Sequence, residues 1–233
     1  MRSGCTQWLG FASFLIVRRI TVGILLAALP SAAANVDISN LLKGIESHYN
    51  HAQTLQVQFS ETYSYQTRRR STESGRLSLR KPGRMRWDYS TPSGKLFVSD
   101  GKWIYSYSPS TNRAEKMKVK ETEDMRAPLA FLLGRLDFNK DFRQFESKPE
   151  GGDTWITALP KSDKLPYKQV SFLATPDFQI RRLLVTGQDQ SVLEFTFDGE
   201  KVNPPLNDKM FEFVPPPGAE VVDLTQSRQE DAR

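Results

Sequence analysis

The sequence predicts an α+β domain that is mainly β, with short antiparallel strands wound as a barrel, open or closed, and two or three helices inserted. Three observations carry this prediction. Apolar and polar residues alternate at period 2 through many short runs, the mark of strands with one wet face. The breaks between runs fall about every 8–12 residues and carry turn chemistry that can be named. Two segments instead space their apolar residues by three and four, as helices do.

Taken in order, the chain opens with a targeting signal. Arg18-Arg19 precede the apolar run Ile20 to Leu29, and Pro30-Ser31-Ala32-Ala33-Ala34 supplies small residues at −3 and −1 of a cut after Ala34. The run is short of the roughly 20 apolar residues that a membrane span needs. The expectation is a cleaved signal peptide over 1–34, one domain over 35–224 and a polar tail over 225–233. Asp37 or Ser39 then caps a helix whose Ile38, Leu41, Leu42, Ile45 and Tyr49 form one apolar stripe. Gly44 is a small cost inside it. Leu55, Val57 and Phe59 alternate with Gln56, Gln58 and Ser60, opening a strand that continues through Tyr63 and Tyr65 to a polar hairpin tip at Arg68-Arg69-Arg70.

The centre of the chain, Gly75 to Lys118, is a meander of strands. Leu77 and Leu79 form one alternating run, Met85, Trp87 and Tyr89 the next, and Trp103, Tyr105 and Tyr107 a later one. Lys81-Pro82-Gly83, Ser90 to Gly94 and Asp100-Gly101 separate the runs, the last as a hairpin signal, since a type I′ turn needs φ > 0 at both central positions. Pro128 opens and Gly134 closes a very apolar helix carrying Leu129, Phe131, Leu132 and Leu133. Asp137 to Phe145 extends it by a possible further turn. Strands return over Trp155–Leu159, Tyr167–Ala174, Gln179–Thr186 and Val192–Phe197, for about ten strands in all.

Composition excludes several function classes. Of 32 Lys and Arg, three (Arg2, Arg18, Arg19) precede Asn35, which leaves 29 basic against 27 acidic residues and no support for a nucleic-acid partner. Cys5 is the only cysteine and leaves with the signal peptide, so the mature chain is expected to hold no disulfide, thiolate metal site or cysteine nucleophile. His48 and His51 are the only histidines. Their spacing on one helix suits a metal, but no further ligand lies nearby in sequence, and two exposed helix-end histidines are expected. Glu121, Glu123 and Asp124 read as a solvated run rather than an acid–base pair. No serine-nucleophile, phosphate-loop or dinucleotide fingerprint is present, so neither catalytic residues, metal nor cofactor are expected. What needs explaining is the surplus of large aromatics in strands. Ordinary barrel core is one account. An apolar cavity that accepts an alkyl chain is the other, and burial at about 0.8 kcal/mol per CH₂ supplies its affinity without a polar motif.

Three blocks in order carry a family resemblance. Arg80-Lys81-Pro82-Gly83-Arg84-Met85-Arg86-Trp87 with Val98-Ser99-Asp100-Gly101-Lys102, then Pro128-Leu129-Ala130-Phe131-Leu132-Leu133, then Phe211-Glu212-Phe213-Val214-Pro215-Pro216-Pro217-Gly218 resemble the periplasmic outer-membrane lipoprotein carriers, LolA. The resemblance implies an open antiparallel half-barrel, a curved sheet of about eleven strands with about three helices as a lid. It implies a monomeric periplasmic carrier that catalyses nothing. Its partners would be acylated lipoproteins, an inner-membrane lipoprotein-releasing ABC transporter and an outer-membrane lipoprotein receptor. Trp87, Tyr89, Trp103, Tyr105, Leu129, Leu132 and Leu133 would line the lipid cavity. Met85 matches an exposed position for transporter docking, with inward packing beside Trp87 as the other reading. Lys81 stands where the family has an arginine tying sheet to lid; Lys cannot make the planar fork, which implies a looser lid. A carrier or sensor of another lipid or glycolipid, and an exported hydrolase, are the alternative readings.

Overall fold

The computed structural model describes residues 37–66, 68–69, 71–119 and 136–225. The expected signal peptide, most of the polar tail, and the expected helix with Leu129, Leu132 and Leu133 lie outside them. Helix α1 (Ile38–His51) is followed by β1 (Thr54–Tyr65), β2 (Arg68–Arg69), β3 (Glu73–Arg80), β4 (Arg84–Thr91), β5 (Leu96–Asp100), β6 (Trp103–Ser108) and β7 (Arg113–Lys118). After the undescribed stretch come α2 (Phe138–Asp141), β8 (Phe142–Glu150), β9 (Asp153–Pro160), β10 (Tyr167–Ala174), β11 (Ile180–Gly187) and β12 (Val192–Val202). A 3₁₀ turn (Asp208–Phe211) and β13 (Glu220–Asp223) complete the order.

All strands of the described residues belong to one sheet, in the order β13-β7-β6-β5-β4-β3-β1-β12-β11-β10-β9-β8, with β2 on β1. The sheet is open, because its path ends at β13 on one side and β8 on the other. Every pairing is antiparallel except that of β13 with β7, which is parallel. Among the described residues the strands exceed the expected eleven through two short pieces, two-residue β2 and the returning β13. Strand β12 pairs with the free side of β1, so the N-terminal strand lies in the middle of the sheet and joins its two halves.

Alternation decides which face is buried. Leu55, Val57 and Phe59 of β1 lie beside Leu77 and Leu79 of β3, then Met85 and Trp87 of β4. On the other half, Phe195 of β12 continues to Leu183, Phe172 and Ile156 of the next three strands. These residues, with Leu41, Leu42, Ile45 and Tyr49 of α1, form a single buried cluster. A flat sheet would hold β4 and β10 too far apart to share one cluster with α1, so the sheet is curved. Asp37 is the residue that caps α1, accepting from the backbone N–H of Ser39 at 2.9 Å and of Asn40 at 3.4 Å.

One element departs from the sequence reading. Asp137 to Phe145 is not a continuous helical turn, since α2 ends at Asp141 and Phe142 already pairs with Pro160 in the sheet. The spacing of Phe138, Phe142 and Phe145 looks helical because the register slips between Arg143 and Glu146, where Gln144 takes φ 56°. The inserted residue turns a strand's alternation into an apparent helical one.

Candidate functional site

The inner face of the sheet is the only large apolar surface that the fold assembles from every part of the described chain. At its centre is Trp87, 0% exposed, with Phe59 edge-on at 4.7 Å between ring centroids and Phe195 at 5.5 Å. Tyr89, two residues along the same face, meets Phe59 edge-on at 5.1 Å. Its hydroxyl donates at 2.8 Å to Oε1 of Glu61, a carboxylate only 6% exposed on this apolar face. The Trp87 indole N–H meets no acceptor among the described residues. Buried tryptophans ordinarily find a partner for this group, and leaving a donor unpaired costs about 1–3 kcal/mol.

The structure separates residues expected together. Tyr105 pairs with Val98, which pairs with Arg86, whereas Trp87 pairs with Phe97. Opposed residues of antiparallel strands share a face, so Trp103, Tyr105 and Tyr107 lie on the outer face and Ile104 on the inner one. The expectation that Trp103 and Tyr105 line one cavity with Trp87 and Tyr89 is corrected accordingly. The outer aromatics have their own partners. Phe213 stacks on Tyr105 at 4.9 Å, and the Lys116 ammonium sits 3.9 Å from the Trp103 ring centroid. Phe213 belongs to the segment after β12, which Arg80 and Arg86 fasten across this face by donating to the carbonyls of Leu206 at 2.7 Å and Met210 at 2.9 Å. Met85 is also corrected: it is 4% exposed and packs inward on the Trp87 face rather than standing at the surface.

Helix α1 is fixed to this face from several sides. Lys81 Nζ donates to the Tyr49 carbonyl at 2.7 Å and the Asn50 carbonyl at 3.2 Å, two acceptors at the negative end of the helix dipole. Burial of the ammonium pulls the Lys81 pKa below its usual value. Asn50 clasps Leu136 in both directions, its amide donating to the carbonyl at 2.8 Å and its oxygen accepting from the backbone N–H at 2.7 Å. Glu46 accepts from the Phe138 N–H at 2.7 Å. Replacing Lys81 by Met is expected to lower the free energy of unfolding by about 1–2 kcal/mol, less than a fully buried charged bond because solvent reaches the site. Urea titration measures this, and no change would show that the helix end needs no cap.

The sequence reading missed Glu200. This β12 carboxylate accepts from the Tyr49 hydroxyl at 2.9 Å and lies 2.7 Å from Nε2 of His48. The Tyr49 oxygen in turn accepts from the Ile180 N–H at 2.9 Å. His48 is therefore half-buried in a contact that joins α1 to the sheet, not an exposed helix-end residue. Its partner lies 152 residues away, so no spacing signal reveals it.

Burial raises the Tyr49 pKa well above the ordinary phenol value, with the Glu200 charge adding to it. Burial likewise pushes Tyr167 up to about 12, with Asp141 adding to it. A raised phenol pKa favours the folded state below pH 10 and loses that contribution as pH climbs to 12, because the unfolded chain ionises first. Stability is expected to fall by about 1 kcal/mol per pH unit from this group across that window. Tyr167→Phe should flatten the decline, which urea midpoints at two alkaline pH values would register.

A concavity of about 360 Å³ lies on the outer face, lined by Trp155, Thr157, Ser171 and Leu184 together with Glu146 and Lys148. Arg182 stands over the Trp155 ring at 5.1 Å and pairs with Glu194 at 2.5 Å, so polar and charged groups frame it.

A family model described as outer membrane lipoprotein carrier protein LolA matches residues 50–214. The outer-membrane lipoprotein carrier protein of Nitrosomonas europaea is 26% identical over 187 residues, covering 79% of this chain and 89% of the relative. That of Bordetella avium is 26% identical over 210 residues, covering 90% and 98%. Among solved structures, a LolA superfamily protein from Nitrosomonas europaea is similar at a TM-score of 0.44 and 10% identity, covering 75% of this chain and 97% of the other.

Proposed function

The chain belongs to the LolA family of outer membrane lipoprotein carriers, and on that premise we propose that it takes up lipoprotein acyl chains against the inner face of its sheet. In this reading it works in the periplasm, receives cargo from an inner-membrane ABC transporter and yields it to an outer-membrane receptor. It acts as a carrier rather than a catalyst. The observation that supports the reading is the concentration of large apolar side chains on one face of an open sheet. Trp87, Tyr89, Phe59 and Phe195 cluster there, on a sheet whose path stays unclosed. An acyl chain is recognised by the area it buries, so such a face needs no polar motif. At about 0.8 kcal/mol per CH₂, a chain of palmitoyl length offers on the order of 10 kcal/mol before the costs of ordering.

The test is a pair of peptides with one lipoprotein N-terminal sequence, one triacylated and one unacylated, titrated into the purified protein. The triacylated form is expected to bind at least about a hundredfold tighter. Equal affinities would overturn the reading. Mass spectrometry of apolar compounds that co-purify separates lipoprotein cargo from another lipid, and transfer of a labelled lipoprotein between membrane fractions tests the shuttling.

A further inference from the structure

Trp87 carries more than ring area. It is shielded from solvent, its neighbours Phe59, Phe195, Leu77 and Phe97 are apolar, and its one polar group has no acceptor among the described residues. A buried donor left open calls for a physical account, and an acceptor that arrives from outside supplies one. The chemistry of that acceptor is narrow. Alkyl chains have none. A charged phosphate or carboxylate head would lose its hydration among aromatic rings without a counter-charge beside it. A neutral carbonyl oxygen matches a neutral N–H one to one, and every acyl chain brings such a carbonyl where it joins its head. We infer that the Trp87 indole N–H donates to the carbonyl of an acyl ester or amide, and so marks the depth at which the chain meets its linkage.

This inference deepens the acyl-carrier reading and rests on it. It predicts that the protein distinguishes an acyl chain from an alkyl chain of the same length, which burial alone does not. Dipalmitoylglycerol, whose chains end in ester carbonyls, and dihexadecylglycerol, whose ethers lack them, serve as probes, each displaced from the purified protein by a fluorescent fatty acid competitor. A palmitoyl amide forms a third arm and separates an ester source of the carbonyl from an amide source. The expected result is roughly fivefold tighter binding of at least one carbonyl-bearing probe over the ether. The indole ¹⁵N–¹H resonance of Trp87 should move downfield with that probe and stay in place with the ether. Trp87→Phe, which keeps an aromatic ring and removes the N–H, should bring the ester-to-ether ratio to about one, whatever contact area it loses.

Tight binding of both probes at equal affinity, with an unmoved indole resonance, would overturn the inference and leave the carrier reading standing. Failure of all three probes to displace the competitor would overturn both. The ratio and the resonance are read on the unaltered protein, so the test does not depend on the variant folding.

Discussion

Trp87→Ala is expected to lower the free energy of unfolding by about 3–5 kcal/mol. The ring is 0% exposed and lies where both halves of the sheet meet, against Phe59 of β1 and Phe195 of β12. Strand pairing on both sides, with Leu77 across one boundary and Phe97 across the other, keeps the backbone from closing the gap. The truncation therefore leaves a cavity close to the full volume lost. Part of the cost is returned, because the open N–H disappears with the ring, which places the expected loss nearer the lower end of the range. Urea denaturation of parent and variant measures it. A loss below about 1 kcal/mol would mean that Phe59 and Phe195 collapse into the space, and that the inner face is more plastic than its packing indicates.

Gly75→Ala is the second substitution with a large expected effect. A Cβ on Gly75 would stand 2.0 Å from the carbonyl oxygen of Asp88 and 2.8 Å from the Cα of Tyr89. Both obstacles are backbone of the neighbouring strand, so no side-chain rotation relieves them. The register between β3 and β4 already slips between Ser74 and Gly75, and the close approach of the two strands belongs to that irregularity. Gly75 is also opposed to Phe59 on one side and Tyr89 on the other, so the edge-on contact of those rings spans a position without a side chain. Forcing the strands apart is expected to cost about 3 kcal/mol and to weaken the Tyr89–Glu61 hydrogen bond. Thermal or urea unfolding checks the first, and the tyrosine environment in near-ultraviolet circular dichroism checks the second. Unchanged stability would show that β3 and β4 can separate locally without loss.

Much of this architecture is legible in the chain because it is written in local chemistry. Period-2 alternation announced Leu77–Leu79, Met85–Tyr89 and Trp103–Tyr107 as strands, and Asp100-Gly101 announced the turn between two of them. In the folded chain Asp100 accepts from the N–H groups of Lys102 and Trp103 at 2.7 Å each, a bond that its own side chain makes two and three residues on. The three family blocks, being contiguous, were equally readable. Where the reading failed, a local pattern had been altered by something distant. The β8 bulge gave Phe142 and Phe145 a helical spacing. Gly44 looked like a mere cost in α1, yet a Cβ there would stand 2.2 Å from the ring of Phe178, which packs on it.

By itself, then, the amino-acid sequence determined the turns and most of the strands, the start of α1 near Asp37, the family and the aromatic surplus of the central meander. Tertiary structure alone decided which aromatics share a face. Alternation fixes the two sides of a strand relative to each other, but only pairing across Leu96–Asp100, a strand apolar on both sides, sends Trp87 inward and Tyr105 outward. It also decided that Glu200 meets Tyr49 and His48, and that Trp87 is buried with its N–H open, since burial is a property of everything packed around a residue and not of the residues beside it in the chain.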